Sequence, residues 1–231
     1  MIDWSSVKSV AIPEGDVKQI DIDGITVWVK PQSRLPDEYQ ELTYIGCTGT
    51  QFINTGLRPS VNCTFYIRYQ ETTSGGSNYA FGSRGSGSTY YVGLGGGTNT
   101  HNVAILNHSA TTPNSYRAAG NVYEISAEYN SSGTGTSRIK CETTGDVFEG
   151  VQSATYSENG AYICVFAQRS SAKHSGMRVF EVKIWNNDVL ERHLIPCQRI
   201  SDDELGMYDL VNDAFYTNSG TDEFTAGSLV N

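Results

Sequence analysis

Polar loops are the part of this chain whose residue types could bind a ligand. Sugars are held by aromatic rings that stack on C–H surfaces and by planar side chains that exchange hydrogen bonds with hydroxyls. Gly/Ser-rich stretches long enough to form the rim of a binding surface occur at residues 72–77, 82–89, 95–101 and 169–176. We predict carbohydrate binding by residues in or near them, namely Arg84, Tyr91, Asn99, Arg169, Lys173 and His174. The alternative is that these loops are only hairpin tips and that Tyr91 covers a sheet edge.

Sequence patterns typical of enzymes are missing from the chain. The histidines, at positions 101, 108, 174 and 193, have no recognised metal-ligand spacing, and there is no Gly-x-Ser-x-Gly elbow. The glycine-rich residues 93–97 lack the Lys-Ser/Thr ending of a phosphate-binding loop. The acidic residues 201–204 are more typical of a solvated turn than of a catalytic pair. We therefore predict that the chain is not an enzyme and has no catalytic residues.

Composition restricts the partners and the compartment. The formal net charge of −9 and the lack of any Lys/Arg run disfavour a nucleic-acid partner, because phosphate binding needs a basic surface. No stretch of 18 or more apolar residues occurs, and the N-terminus has no secretory-signal pattern, so we predict no membrane insertion. The 5 cysteines are widely spaced and fall on apolar faces, which predicts buried free thiols made in a reducing cytoplasm.

Alternation of apolar and polar residues predicts an all-β chain. In residues 122–129 the odd positions are predicted to face inward and Glu124, Ser126 and Glu128 outward. In residues 64–69 the predicted outward set is Thr64, Tyr66 and Arg68. Residues 177–185 form another predicted strand, with Phe180, Val182 and Ile184 on one face. Residues 161–167 are apolar on both faces, as in a central strand that is covered from both sides. Together these patterns predict two antiparallel sheets packed face to face as a β-sandwich.

The N-terminal residues are predicted to form a separate element. Asp23-Gly24 lies between two alternating runs, which is a strong hairpin signal, and prolines at 31 and 36 mark a linker. We predict an N-terminal β-hairpin assembly element at residues 1–31 and the sandwich domain at residues 32–231. The alternative is that the hairpin supplies the first strands of the sandwich, because so small a unit is seldom stable alone.

Two segments of the sequence carry a family resemblance. Residues 35–57 read LPDEYQELTYIGCTGTQFINTGL, and residues 195–227 contain IPC, GMYDLVN, FYTNSGT and FTAG in that order. Both segments resemble the ends of laminin-G/concanavalin-A-like jelly-roll modules found in tail and other structural proteins of phages and prophages of gut Firmicutes. The resemblance implies an all-β antiparallel jelly roll in a virion protein that is made in the bacterial cytoplasm.

The resemblance also implies a function. It implies a non-enzymatic phage or prophage structural protein, tail-associated and acting as a receptor-binding or adhesin subunit that recognises cell-surface carbohydrate of a bacterial host. One alternative is a decoration or assembly protein that binds only other virion subunits. Another is a cryptic glycan hydrolase, although the E-x-D-x-x-E pattern of jelly-roll glucanases is missing.

Oligomeric state and metal content follow from the same resemblance. A homo-oligomer is expected, with the trimer as the state common in tail fibres, because the hairpin and residues 161–167 both need a cover. No cofactor is predicted apart from a structural Ca²⁺, which related modules often hold with loop oxygens. Candidate calcium ligands are Asp146, Asp188, Asp202, Asp209 and Asp213.

Overall fold

A computed structural model describes most of the chain. The described residues are 19–22, 25–29, 34–73, 78–85, 90–96, 101–105, 108–111, 118–153, 160–169, 172–173 and 175–230. Every regular element in these ranges is a β-strand, which confirms the predicted all-β class. None of the described residues belongs to a helix that is long and apolar enough to cross a membrane.

The strands are mostly short and follow one another closely. Strands β1 to β10 are Gln19–Ile22, Ile25–Val29, Tyr39–Glu41, Ile45–Thr48, Ile53–Asn54, Cys63–Glu71, Asn78–Arg84, Tyr90–Gly96, His101–Ile105 and His108–Thr111. Strands β11 to β16 are Val122–Tyr129, Thr134–Cys141, Val147–Ser153, Cys164–Val165, Ala167–Arg169 and Ala172–Lys173. Strands β17 to β21 are Ser175–Asn186, Val189–Arg199, Leu205–Asp209, Ala214–Thr217 and Thr225–Ala226.

The chain divides into two compact units. The first comprises residues 1–34 together with Asn231, and within it β1 and β2 pair as antiparallel strands with a bulge after Ile20. The second unit, Leu35–Val230, contains all the other strands. The assembly role assigned to the N-terminal element stays a prediction.

The second unit consists mainly of two antiparallel sheets, beside which β15 and β16 form a separate two-stranded pair. The smaller has the strand order β10-β9-β8-β7-β14-β5, and the larger has the order β13-β12-β11-β6-β17-β18-β19-β20 with β3, β4 and β21 attached beside it. One hydrophobic core holds side chains from both sheets, and the rings of Phe65 on β6 and Phe81 on β7 lie 5.6 Å apart. This arrangement confirms the predicted antiparallel β-sandwich.

The predicted alternation is confirmed in the large sheet and fails at one residue. In β11 the side chains of Tyr123, Ile125 and Ala127 are buried, while the polar residues between them face away from the core. In β17 the register to β6 shifts between Val179 and Glu181, so Phe180 is the extra residue of a bulge. The prediction that Phe180 shares the inward face is therefore wrong, since its ring packs against Arg68 outside the core.

The predicted strand at residues 161–167 is interrupted. Ile163 through Ala167 are buried, as their apolar character predicted, but Tyr162 is exposed. Phe166 has a φ of 62°, a left-handed conformation that breaks the strand into β14 and β15. The backbone N–H of Phe166 donates to the carbonyl of Ala80 at 2.8 Å, which holds this turn against β7.

The two segments that carry the family resemblance meet in space. The Gln51 side chain is fully buried; its Oε1 accepts from the Thr48 backbone N–H at 2.9 Å, and its Nε2 donates to the Glu223 carbonyl at 2.7 Å. The Asn218 Oδ1 accepts from the backbone N–H of Phe52 at 3.1 Å. These side chains therefore join the start of the sandwich to its end, and the shared motif closes the fold.

Two polar residues of the C-terminal segment, Asp209 and Asn212, also hold the fold together. The Asp209 side chain is fully buried, and its Oδ1 accepts from the backbone N–H groups of His193 at 2.9 Å and Val211 at 3.1 Å. Its Oδ2 accepts from the Asn212 side chain at 2.9 Å. The Asp and Asn of the YDLVN sequence thus fix the turn after β19 and tie it to β18.

Candidate functional site

The predicted rim residues fall partly within the described structure. Arg84 ends β7, and its Nη1 donates to Oε1 of the buried Gln168 at 3.1 Å. The backbones of Tyr91, Arg169 and Lys173 lie in β8, β15 and β16, so residues 169–176 include strand pairing and are not only a loop. Asn99 and His174 lie outside the described residues. Carbohydrate binding at this rim stays a prediction.

A second polar surface lies on the large sheet, on the side away from the core. We call the outward side chains of β6, β11, β12, β13, β17 and β18 the outer face. Strand register arranges them in rows that cross the sheet. The first row is Trp185, Thr64, Glu128, Thr136 and Val151; the second is His193, Lys183, Tyr66, Ser126, Arg138 and Glu149; the third is Glu181, Arg68, Glu124, Lys140 and Val147.

Local sequence explains why these side chains share a face. Strict alternation in β6, β11 and β12 buries every second residue and leaves the residues between them on the outside. Strands β17 and β18 join through Asn187 and Asp188, which have φ values of 47° and 62°. This pattern is typical of a type I′ hairpin turn, and the turn together with a register shift between Ile184 and Trp185 sets Lys183 opposite His193.

One ion pair anchors the third row. Arg68 donates from Nε and Nη2 to the two carboxylate oxygens of Glu142, at 2.7 and 2.8 Å. The hydrogen bond from Arg68 lowers the pKa of Glu142, and the same bond raises the pKa of Arg68. Lys140 contributes a second pair, with its Nζ 3.2 Å from Oε2 of Glu124. Both pairs bridge strands and fix the polar groups of this face.

Glu181 is an ionised group on this face at neutral pH. Its Oε1 lies 2.7 Å from Nε2 of His193 and 2.9 Å from Nζ of Lys183. The hydrogen bond with His193, followed by that with Lys183, lowers the pKa of Glu181 to about 2 despite partial burial. A carboxylate of that pKa cannot donate a proton at neutral pH, so it acts as a hydrogen-bond acceptor or as a fixed charge.

Half-buried aromatic rings lie among these charges. The Tyr66 hydroxyl is 3.4 Å from Oε1 of Glu124, and the Lys183 Nζ is 5.3 Å from the Tyr66 ring centroid. Partial burial, and then the nearby charge of Glu124, raises the pKa of Tyr66 well above its usual value. Tyr66 is therefore a neutral hydroxyl that can both donate and accept hydrogen bonds.

The bulge in β17 adds more aromatic surface beside the third row. The guanidinium of Arg68 lies 4.6 Å from the Phe180 ring centroid, and that of Arg178 lies 4.5 Å from the Tyr44 ring centroid. The Phe180 and Tyr44 rings pack edge to face, 6.1 Å apart. These stacked contacts hold the rings and cations in one orientation.

Sequence reasoning found the outward residues of single strands but not this surface. Thr64, Tyr66 and Arg68 were predicted to face outward, and that is confirmed. Their meeting with Glu181 and Lys183 depends on β17 pairing with β6, although more than 100 residues separate the two strands. The only available signal was that each strand carried charged and aromatic residues on its outward positions.

The acidic residues 202–204 border a separate cavity of about 340 Å³ with Asn218, Asp222 and Glu223. Arg199 pairs with Asp202 through its Nε at 2.9 Å and its Nη2 at 2.6 Å, and this hydrogen bonding lowers the pKa of Asp202. Within the described ranges, no three Asp, Glu, His or Cys side chains are grouped so that they could hold a metal ion. Calcium binding stays a prediction.

Comparison with known proteins identifies no family for the chain. No family model matches the chain, and no curated protein matches it. One similar solved structure is tailspike protein 2 of an Escherichia coli O157:H7 bacteriophage, with 14% identity and a TM-score of 0.43. The match covers 66% of this chain but only 26% of the tailspike chain.

Two smaller proteins are also similar in structure. The CBM40 of the Ruminococcus gnavus IT-sialidase, solved with α2,3-sialyllactose, shows 9% identity over 65% of this chain and 94% of its own, with a TM-score of 0.43. Scytalido-glutamic peptidase shows 14% identity over 78% of this chain and 100% of its own, also with a TM-score of 0.43. At these values the similarities assign neither a ligand nor a reaction.

The prediction that the chain is not an enzyme is wrong as it was drawn. The similar structures include a glutamic peptidase and the enzymatically active domain of the tailspike protein. The lack of local carboxylate patterns does not exclude an enzyme, because reacting groups can come from separate strands that only the fold brings together. The chain is a jelly-roll-like antiparallel β-sandwich, which confirms the fold that the resemblance implied.

Proposed function

We propose that the chain is a glycan-binding subunit of a bacteriophage or prophage particle, associated with the tail, and that its outer face contacts the glycan. The sequence motifs at both ends of the sandwich support the phage setting, because they resemble laminin-G/concanavalin-A-like modules of phage structural proteins. In this proposal the partners are cell-surface carbohydrate of a bacterial host and other virion subunits.

One observation carries the glycan-binding part of the proposal. The outer face combines half-buried rings with carboxylate, guanidinium and ammonium groups that are already fixed by ion pairs. Sugar recognition needs apolar surface for C–H groups and oriented donors and acceptors for hydroxyls. Groups that are held in place before binding lose little conformational entropy when the ligand arrives. Tyr66 is central because it contributes both a ring and a hydroxyl.

The test is binding to an array of bacterial surface glycans, followed by titration of the best ligand. Tyr66→Ala is expected to weaken binding about tenfold, since an aromatic contact and a hydrogen bond are together worth about 1–2 kcal/mol. Tyr162→Ala is the matched control, because this exposed tyrosine also has an arginine over its ring, with Arg58 4.9 Å from the centroid. Equal losses in the two variants would contradict a role for the outer face.

The same experiment separates the alternatives. A chain that enters phage particles but binds no bacterial glycan would favour the decoration role. Release of reducing ends from cell-wall or capsular polysaccharide would show that bound glycan is also cleaved.

The oligomeric state is also a proposal. A homotrimer would cover the N-terminal hairpin element, and light scattering on the purified full chain tests it. A monomeric mass would contradict it.

A further inference from the structure

A depression of about 330 Å³ opens on the outer face at its β11–β13 end. It forms because small side chains occupy neighbouring register positions: Ser126 lies between Tyr66 and Arg138 in the second row, and Thr136 lies between Glu128 and Val151 in the first. The volume is near the lower end of the range for small-ligand sites, about 300–1,000 Å³. The depression is therefore large enough for one small polar ligand.

Four polar groups of the depression are not used by the rest of the described structure. The hydroxyls of Thr64, Ser126 and Thr136 and the carboxylate of Glu128 line it, and no other described residue forms a hydrogen bond or ion pair with them. The third row differs, since its carboxylates, those of Glu124 and Glu181, are bound by lysine and histidine side chains. The depression thus offers donors and acceptors that a ligand can engage without breaking existing bonds.

The charges of the depression select against an acidic ligand. Among the described residues that line it, the one lysine or arginine is Arg138, whose Nε lies 3.6 Å from Oε1 of Glu149, with side chains 46% and 73% exposed. Glu128 and Glu149 leave the lining with a net charge of −1. A carboxylated sugar would face two carboxylates and one arginine that is already paired. Neutral hydroxyls, in contrast, can donate to Glu128 and accept from Arg138.

We propose that this depression is the primary sugar subsite of the outer face and that it takes an uncharged pyranose. Neighbouring hydroxyls of the sugar donate to Glu128, and its C–H surface packs on Val151, which is 73% exposed. Adjacent strands are about 4.8 Å apart, so a glycan that continues across the sheet places its next unit near Tyr66. This inference rests on the proposed glycan-binding function and adds the position of the subsite and the class of sugar.

The experiment uses the full chain and titrations with neutral, sialylated and uronic-acid oligosaccharides. Thr136→Tyr fills the depression with a residue that suits strands, and it is expected to weaken binding of the neutral ligand at least tenfold. Glu128→Gln is expected to weaken it about fivefold, since a neutral amide accepts hydrogen bonds less strongly than a carboxylate. Glu38→Gln is the control, because this exposed glutamate precedes β3, beyond β18 in the sheet, and its loss should change nothing. Thermal unfolding of each variant verifies that it folds.

The outcomes distinguish this inference from the function on which it rests. If neutral sugar binds equally well to folded Thr136→Tyr and Glu128→Gln, but Tyr66→Ala loses binding, the subsite is refuted while the proposed function stands. A parent chain that prefers acidic sugars refutes the predicted ligand class. A parent chain that binds no glycan refutes both proposals.

Discussion

Replacing Gln51 with alanine should destabilise the sandwich more than its polar character alone would indicate. The side chain is fully buried and joins the 48–51 turn to the chain's C-terminal segment. The change would leave the Thr48 N–H and the Glu223 carbonyl, now 2.9 and 2.7 Å from Gln51 atoms, without these partners. Thr48 and Glu223 are themselves exposed, so each lost hydrogen bond costs about 1 kcal/mol, and the lost methylenes of the buried Gln51 side chain cost about 1–2 kcal/mol more. We expect a loss of about 3–4 kcal/mol in the free energy of unfolding.

Urea denaturation followed by tryptophan fluorescence measures this loss. Gln198→Ala is the matched control, because the Gln198 amide donates only to exposed oxygens of Asp203, and its loss should cost less than about 1 kcal/mol. For a domain of this size, a loss of about 3 kcal/mol corresponds to a fall in Tm of about 6–12 °C. If Gln51→Ala and Gln198→Ala cost the same, the bond network at Gln51 does not close the sandwich.

Three further predictions concern titration, backbone packing and thiol reactivity. The folded pKa of Glu181 lies below its usual 4.5, so its contribution to stability is complete above pH 4.5 and is lost as the pH falls towards 2. Glu181→Gln should flatten the dependence of the unfolding free energy on pH in that window, and an unchanged slope would contradict the lowered pKa of Glu181. Gly220→Ala should lower the Tm more than Gly56→Ala, because a Cβ at position 220 would collide with the Thr50 carbonyl oxygen. A Cβ at position 56 would enter open space and cause only the strain of a φ of 68°. Equal shifts in Tm would refute the close contact at Gly220. All 5 cysteines are buried, and desolvation raises the pKa of Cys47 to about 12. Thiol reagents at pH 8 should therefore label the chain only after unfolding, and rapid labelling of the native protein would contradict the buried positions.

Period-two patterning predicted the inside and outside of individual strands. Residues 122–129 and 64–69 carry the alternation expected of strands with one face in a core, and the structure places them accordingly. The two terminal segments implied a jelly roll by resemblance. The Gln51 and Asn218 contacts show what these segments do physically, since polar side chains hold the two ends of the sandwich together.

Other features could not be read from the sequence. A bulge inserts one residue without changing composition, so nothing indicated that Phe180 leaves the core. The sequence also did not indicate the left-handed conformation of Phe166, because bulky residues rarely adopt it. Register between distant strands is set by the whole core, and only this register brings Glu181 beside Arg68. The outer face therefore could not be predicted from local sequence patterns.

The most direct test of glycan binding by the outer face is a crystal structure of the full chain with its best neutral oligosaccharide. We expect a pyranose over Ser126 and Thr136, with its hydroxyls within hydrogen-bond distance of Glu128 and the next sugar unit near Tyr66. A sugar bound instead at the rim beside Arg84, with the outer face empty, would contradict glycan binding by the outer face.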